Sequence, residues 1–211
     1  MTVSGQCCCN PAGGTHRGLT QPTRRTKPVH FAVPTLMRNL PDVLHGLCES
    51  TAGLFAGDHM LIVPGNELRD HIDRELPPSE WLAIDQARIN AFADATLDYQ
   101  FIHVDKAKAA RTPFGRTIAH GYLTMSLISY FAGECGIRPQ NTTMAINYGS
   151  DKVRFLQPVK VDNRIRAHAV LKNVEERTPG QILLKTRFTI EIEGEEKPAM
   201  VADILSLFFV A

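Results

Sequence analysis

The sequence predicts an α+β fold in which one apolar helix is wrapped by a curved antiparallel sheet, and three stretches carry that prediction. Residues 118–131 hold Leu123, Leu127, Ile128 and Phe131, with Tyr122, Met125 and Tyr130 filling much of the remaining circumference. A helix apolar nearly all round must be buried on most sides. The run is too short, and too interrupted by Thr124, Ser126 and Ser129, to span a bilayer. Residues 182–192 alternate with period two, Ile182, Leu184, Phe188, Ile190 and Ile192 opposing Lys185, Arg187, Thr189 and Glu191, the mark of a half-buried strand. The last run, residues 200–210, is apolar on both faces, which suits a central strand or one buried by a partner. A helix of this kind needs a sheet around it, and the sheet's inner face needs the helix.

Composition narrows the function classes first. The chain has 211 residues, 44% hydrophobic and 21% charged, enough for one globular domain with extensions. A formal net charge of +1 predicts no general attraction to nucleic acid or acidic membranes. Five cysteines, three of them adjacent at Cys7, Cys8 and Cys9, have neither Cys-x-x-Cys spacing nor the even count of a disulfide framework. A reducing, cytoplasmic setting fits.

Taken in order, residues 1–39 are basic, with Arg17, Arg24, Arg25, Lys27 and Arg38, and free of acids until Asp42. They read as a disordered tail; organelle targeting is the alternative, and Met37 is a possible true start. Residues 40–79 read as a helix over 40–53, opened by Pro41, followed by a connector of uncertain structure. The main domain is expected over 80–211. Trp81 to Ile84 suit a short strand, and Asp85 then caps a helix with Ile89, Phe92 and Ala93 on one face. That helix delivers the chain to Asp98. Beyond Phe131 come weaker strands at 143–148 and 152–156. A strand at 164–172 follows, with Ile165, Ala167, Ala169 and Leu171 inward, and then the two strands described above. Thr178-Pro179-Gly180 and Glu193-Gly194-Glu195 supply reversals.

Asp98 and His103 are the candidate chemistry. Their spacing alone is noise, because 8 histidines and 22 acidic residues give about one such pair by chance. The flanks give it weight. Ala93 to Thr96, Asp98, Ile102-His103, Ala109, His120-Gly121 and Ser129, with Asn147-Tyr148-Gly149, Val153-Arg154-Phe155 and Pro158, resemble the MaoC-like dehydratases over residues 81–210. The best-known members are (R)-specific enoyl-CoA hydratases, and the nodulation-protein-N-like branch looks closest. The resemblance implies the hot-dog fold, usually paired as a homodimer, acting on an acyl-CoA or acyl-carrier-protein thioester. It implies no cofactor and no metal, the coenzyme A thioester being the substrate. The family's motif is Asp-x-Asn-Pro-(Ile/Leu/Val)-His. Here Gln100 replaces the Asn, Phe101 the Pro, and Leu97 stands where Gly usually precedes the Asp.

The chemistry agrees with the resemblance. Hydrating an enoyl thioester needs a proton acceptor for water, proton delivery at the α carbon, and donors for the enolate oxygen. Asp98 and His103 can share one water. Gly121 opens the apolar helix, so its N–H points outward at the positive end of the dipole and suits the thioester oxygen. By family match, Ser129 would orient the Asp98 carboxylate. Lys106, Lys108, Arg111 and Arg116 could meet coenzyme A phosphates, or be a solvated loop. Each of these has a duller reading: Asp98 as a loop cap, His103 as an edge histidine, Gly121 for packing, Ser129 bonded to its own helix. His120 reads as structural, holding the turn into the helix. Two other functions compete, a hot-dog thioesterase and a non-catalytic acyl-thioester-binding protein. The first often needs a carboxylate on the helix, where none precedes Glu134; the second has no need of Asp98 and His103 together.

Overall fold

The computed structural model describes residues 60–211, and the helix expected over 40–53 and the tail before it lie outside them. The connector is structured. Strand β1 (Leu61–Val63) leads into a 3-10 helix (Gly65–His71) that buries Leu68. Residues 73–79 then run beside the sheet. After the short strand β2 (Leu82–Ala83), helix α1 (Gln86–Thr96) starts at Asp85, whose Oδ1 accepts from Arg88 N at 2.8 Å. Ile89 and Ala93 are fully buried on its inner face, as their spacing predicts.

The apolar helix forms in two segments, α4 (Gly121–Ser126) and α5 (Ile128–Cys135), after two short helices, α2 (Phe101–Val104) and α3 (Lys106–Ala109). The interruption falls at Leu127. Ser126 Oγ donates to Tyr122 O at 2.8 Å, a side-chain bond that competes with the helical ladder. Leu127 keeps helical dihedrals, so the path continues. Only one side is wrapped. Leu123, Ile128, Phe131 and Cys135 enter the core, whereas Tyr122 and Tyr130 are 69% and 45% exposed, so burial on most sides does not hold within one chain.

Beyond the helix, β3 (Ile137–Pro139) pairs parallel with β1. Strands β4 (Thr142–Phe155), β5 (Arg164–Thr178), β6 (Gln181–Ile192) and β7 (Met200–Val210) join β2 in an antiparallel sheet of order β2-β5-β6-β7-β4. The period-two reading is met most fully in β5 and β6. Ile165, Ala167 and Ala169 stand opposite Ile192, Ile190 and Phe188, all buried against α5 and its neighbours. Gly180 and Gly194, both at φ 78°, make the two reversals with the positive dihedral that glycine adopts freely.

One expectation is corrected here, and one open choice is resolved. The weak strands at 143–148 and 152–156 are one strand, β4, with irregular register at Asn147/Gly149 and Asp151/Arg154. The terminal strand β7 is central, between β6 and β4, which explains its two apolar faces without a partner. The strand left at the edge is β4, and it exposes Met144, Ile146 and Tyr148. Among the described residues no helix is long and apolar enough to cross a membrane.

Candidate active site

Helix α1 ends at Thr96, and Leu97 turns the chain with φ 60°, the left-handed conformation that the family's usual glycine adopts without cost. Asp98 follows with its side chain 54% exposed and Oδ1 accepting from Gln100 N at 3.3 Å. Helix α2 then carries His103 inward to 7% exposure. Its Nδ1 lies 2.7 Å from Ile118 O. A carbonyl only accepts, so Nδ1 bears the proton and Nε2 keeps its lone pair. Burial holds the His103 pKa below the usual histidine range, with His120 adding to the depression, while the Ile118 bond and Asp98 oppose it. The ring is thus a neutral proton acceptor.

The backbone of His103 is braced as well. Gln86 Nε2 donates to His103 O at 2.8 Å, and buried Thr117 Oγ1 donates to Gln86 Oε1 at 2.6 Å. His120 completes the cluster. Its ring stacks on that of His103 with centroids 3.7 Å apart, and one ligand atom each of Asp98, His103 and His120 lie within 4.8 Å of one another. Those donor types could hold a divalent cation. The same spacing admits a bridging water.

His103 and Gly121 share the wall of a cleft of about 370 Å³, with Thr124, Phe155, Pro158 and Val159. Gly121 is the first residue of α4, where backbone N–H groups have no intrahelical acceptor. A side chain there would meet Phe155: a Cβ on Gly121 would lie 3.1 Å from the ring. A larger residue at this position would have to push the Phe155 ring aside by a few tenths of an ångström. Asp98 is not among the cleft walls.

The remaining expected residues are dispersed. Ser129 faces β4, and its Oγ accepts from Asn147 Nδ2 at 3.4 Å; its hydrogen bond is therefore not with Asp98, because this part of α5 points to the edge strand. Lys108 pairs with Asp105 at 3.1 Å and Arg116 Nη1 donates to Val161 O at 3.1 Å, while Arg111 is exposed. Lys106 and Arg116 line a second, smaller cavity of about 270 Å³ beside Gln86 and Asp162, not the cleft of His103. Sequence reasoning read His120 as structural and did not single out Gln86, Thr117 or Phe155 for the site. The signal for two of them was present, since His120 adjoins Gly121 and Phe155 lies in the Val-Arg-Phe segment.

A helix packed into a curled antiparallel sheet, with a carboxylate and a histidine beside its start, defines the class of a hot-dog fold. The chain belongs to the family described as the MaoC like domain, whose model matches residues 67–192. Nodulation protein N of Rhizobium leguminosarum bv. viciae is 45% identical over 144 residues, covering 67% of this chain and 88% of that protein. The 3-hydroxyacyl-thioester dehydratase Z of Mycobacterium tuberculosis is 45% identical over 125 residues, 59% of this chain and 82% of its own. Among solved structures, the (R)-hydratase of A. caviae involved in PHA biosynthesis is 25% identical, covers 64% of this chain and 94% of that one, and superposes with a TM-score of 0.52.

Proposed function

We propose that the protein is an (R)-specific enoyl-CoA hydratase, equally a (3R)-hydroxyacyl-thioester dehydratase, adding water reversibly to a trans-2-enoyl thioester. One observation carries the reading: a neutral His103 with its Nε2 lone pair free lies within 4.8 Å of the Asp98 carboxylate and shares a cleft with Gly121. Water held by the pair bonds through oxygen to C3. One of its protons passes to the pair and from there to C2, while Gly121 N–H stabilises the enolate oxygen on the thioester carbon. The hydroxyl keeps the other proton, so atoms balance.

Names of relatives support this reaction class, one being a 3-hydroxyacyl-thioester dehydratase and another, from Aeromonas caviae, an (R)-specific enoyl-CoA hydratase at 32% identity. The helix, residues 121–135, has its one carboxylate at Glu134 near its end, which favours hydration over the thioesterase chemistry. The working unit in this reading is a homodimer. Strand β4 presents an unpaired edge and the apolar side chains Met144, Ile146 and Tyr148, the surface another strand covers. Phe155 of the same strand lines the cleft that holds His103 and Gly121, so pairing along β4 would bring a partner close to the cleft.

The test is spectrophotometric hydration of crotonyl-, octenoyl- and longer enoyl-CoA by the full chain. Turnover with at least one of them is expected. Thioester cleavage without hydration, or no reaction at any chain length, would overturn the reading.

A further inference from the structure

Two histidines meet behind the cleft, and the hydration chemistry uses only one. His120 is 3% exposed, with Phe92 5.1 Å from one side of its ring and His103 stacked 3.7 Å from it. It does not line the cleft. Its Nε2 lies 3.0 Å from the backbone oxygen of Asp98, so Nε2 carries the proton and donates. Nδ1 is then a lone-pair nitrogen, buried with no hydrogen-bond partner. A buried acceptor left unpaired is costly, and a phenylalanine would fill the same space without that cost. The histidine is informative for that reason.

The cost is offset where the chain is otherwise loosely held. Asp98 follows a left-handed Leu97, its carboxylate is half exposed, and the other hydrogen bond drawn on its side chain is the long one from Gln100 N. The His120 N–H fixes the Asp98 carbonyl and therefore the peptide plane from which the carboxylate departs. The opposite requirement, a fixed imidazole plane at His103, is met by the stack, while Ile118 O and Gln86 hold that residue's edge and backbone. One buried side chain touches both members of the pair.

We infer that His120 is a positioning residue for the reaction, an Nε2–H donor that sets the Asp98 peptide and the His103 ring at the spacing one water bridges. The inference rests on the hydratase reading above and adds to it a third residue that never meets substrate. It also assigns His120 more than the role of holding the turn into α4.

The test uses the full chain with His120→Phe, His120→Gln, Asp98→Asn and the doubles of the first two with Asp98→Asn, assayed on crotonyl-CoA. Far-UV circular dichroism normalises each rate to folded protein. His120→Phe keeps the ring and loses the donor; kcat should fall about 10- to 100-fold with KM within about twofold, as for a misplaced catalytic group. His120→Gln restores an N–H near the same place and should recover about tenfold of that loss. Once Asp98 is Asn, His120→Phe should cost little more, because the residue acts through that carboxylate. A wild-type kcat in His120→Phe overturns the proposal, as does an equal loss in the Asp98→Asn background. Should His120→Phe fail to fold, the comparison passes to His120→Gln, whose loss must likewise shrink in that background. Near-normal turnover by Asp98→Asn itself would instead overturn the hydratase reading, and the positioning role with it.

Discussion

The two edges of the sheet are finished differently, and the candidate site lies at the unfinished one. Along β5 the chain covers its own edge: Leu76 N donates to Ala169 O at 3.1 Å, Ser79 N to Ala167 O at 3.0 Å, and Ser79 Oγ accepts from Ala167 N at 2.9 Å. The outer face there is polar and paired. Glu191 takes Arg166 and His168, each at 2.7 Å, Arg164 meets Glu193, and Trp81 lies beneath both arginines. Along β4 no segment of the described residues covers the edge, and its pairings are few: Asp151 meets Lys185 at 2.8 Å and Arg177 lies over Tyr148. The strand offers open backbone, three exposed apolar side chains and Phe155 at 47% exposure. An edge finished within the chain serves stability alone; in the homodimer proposed above, the open edge is the one that would serve assembly.

The largest expected effect is chemical and sits at the open edge. Asp98→Asn and His103→Gln should each fold and lose about 10² to 10⁴ in turnover, the range for a lost general acid or base. Steady-state hydration kinetics check this, and near-normal rates in either variant would remove the pair from the mechanism. The acid limb of kcat/KM should also lie below the usual histidine range. His103 accepts a proton only when neutral, and burial depresses its pKa, so activity is lost only as pH falls through that lowered value.

Next comes the edge itself. Ile146→Lys places a charge on the exposed strand, and light scattering at micromolar concentration should give a monomer whose turnover drops on the order of tenfold, since placement of the pair is then looser. A dimer of unchanged activity would move the interface elsewhere.

Smaller effects are expected inside the sheet, between β6 and β7. Asp203 is 3% exposed and accepts from Arg187 Nε at 2.7 Å and Nη2 at 3.0 Å, bonds that hold its carboxyl below the usual carboxylate range. A depressed pKa contributes stability at neutral pH that is lost as pH falls through the native value. Arg187→Leu should lower unfolding free energy by about 1–2 kcal/mol at pH 7, with a smaller difference in acid. Urea titrations at both pH values check it, and turnover should not change.

The smallest effect concerns Leu97. Its φ of 60° costs an L side chain roughly 1 kcal/mol, so Leu97→Gly should raise the melting temperature slightly, the glycine's added unfolded-state entropy offsetting part of the gain. Calorimetry decides, and a lowered midpoint would show that the exposed leucine packs in the assembly.

How much was legible follows the same division. The closed side was readable because its alternation is local: Ile165 to Leu171 and Ile182 to Ile192 each declare a buried face, and Asp85 declares a cap. The open side was read less well. Strand β4 carries its apolar residues outward, so its pattern lacks a buried face to mark it, and the terminal strand was the one whose apolar faces suggested a partner. At the site, Asp98 comes within 4.8 Å of His103, and His103 shares with Gly121 a cleft whose walls do not include Asp98. Ser129 turns to Asn147 instead. His120 was read only as holding the turn into the helix, because its partner is a main-chain carbonyl 22 positions away, and no side-chain pattern marks an acceptor of that kind.

The central claim is that Asp98 and His103 act through one water on one face of an enoyl thioester, and stereochemistry tests it most directly. Hydration of crotonyl-CoA in deuterated water, followed by chiral chromatography and NMR of the product, reports both new centres. Syn addition giving the (R)-3-hydroxyacyl thioester is the expected result. An (S) product, or deuterium delivered to the opposite face from the hydroxyl, would contradict it.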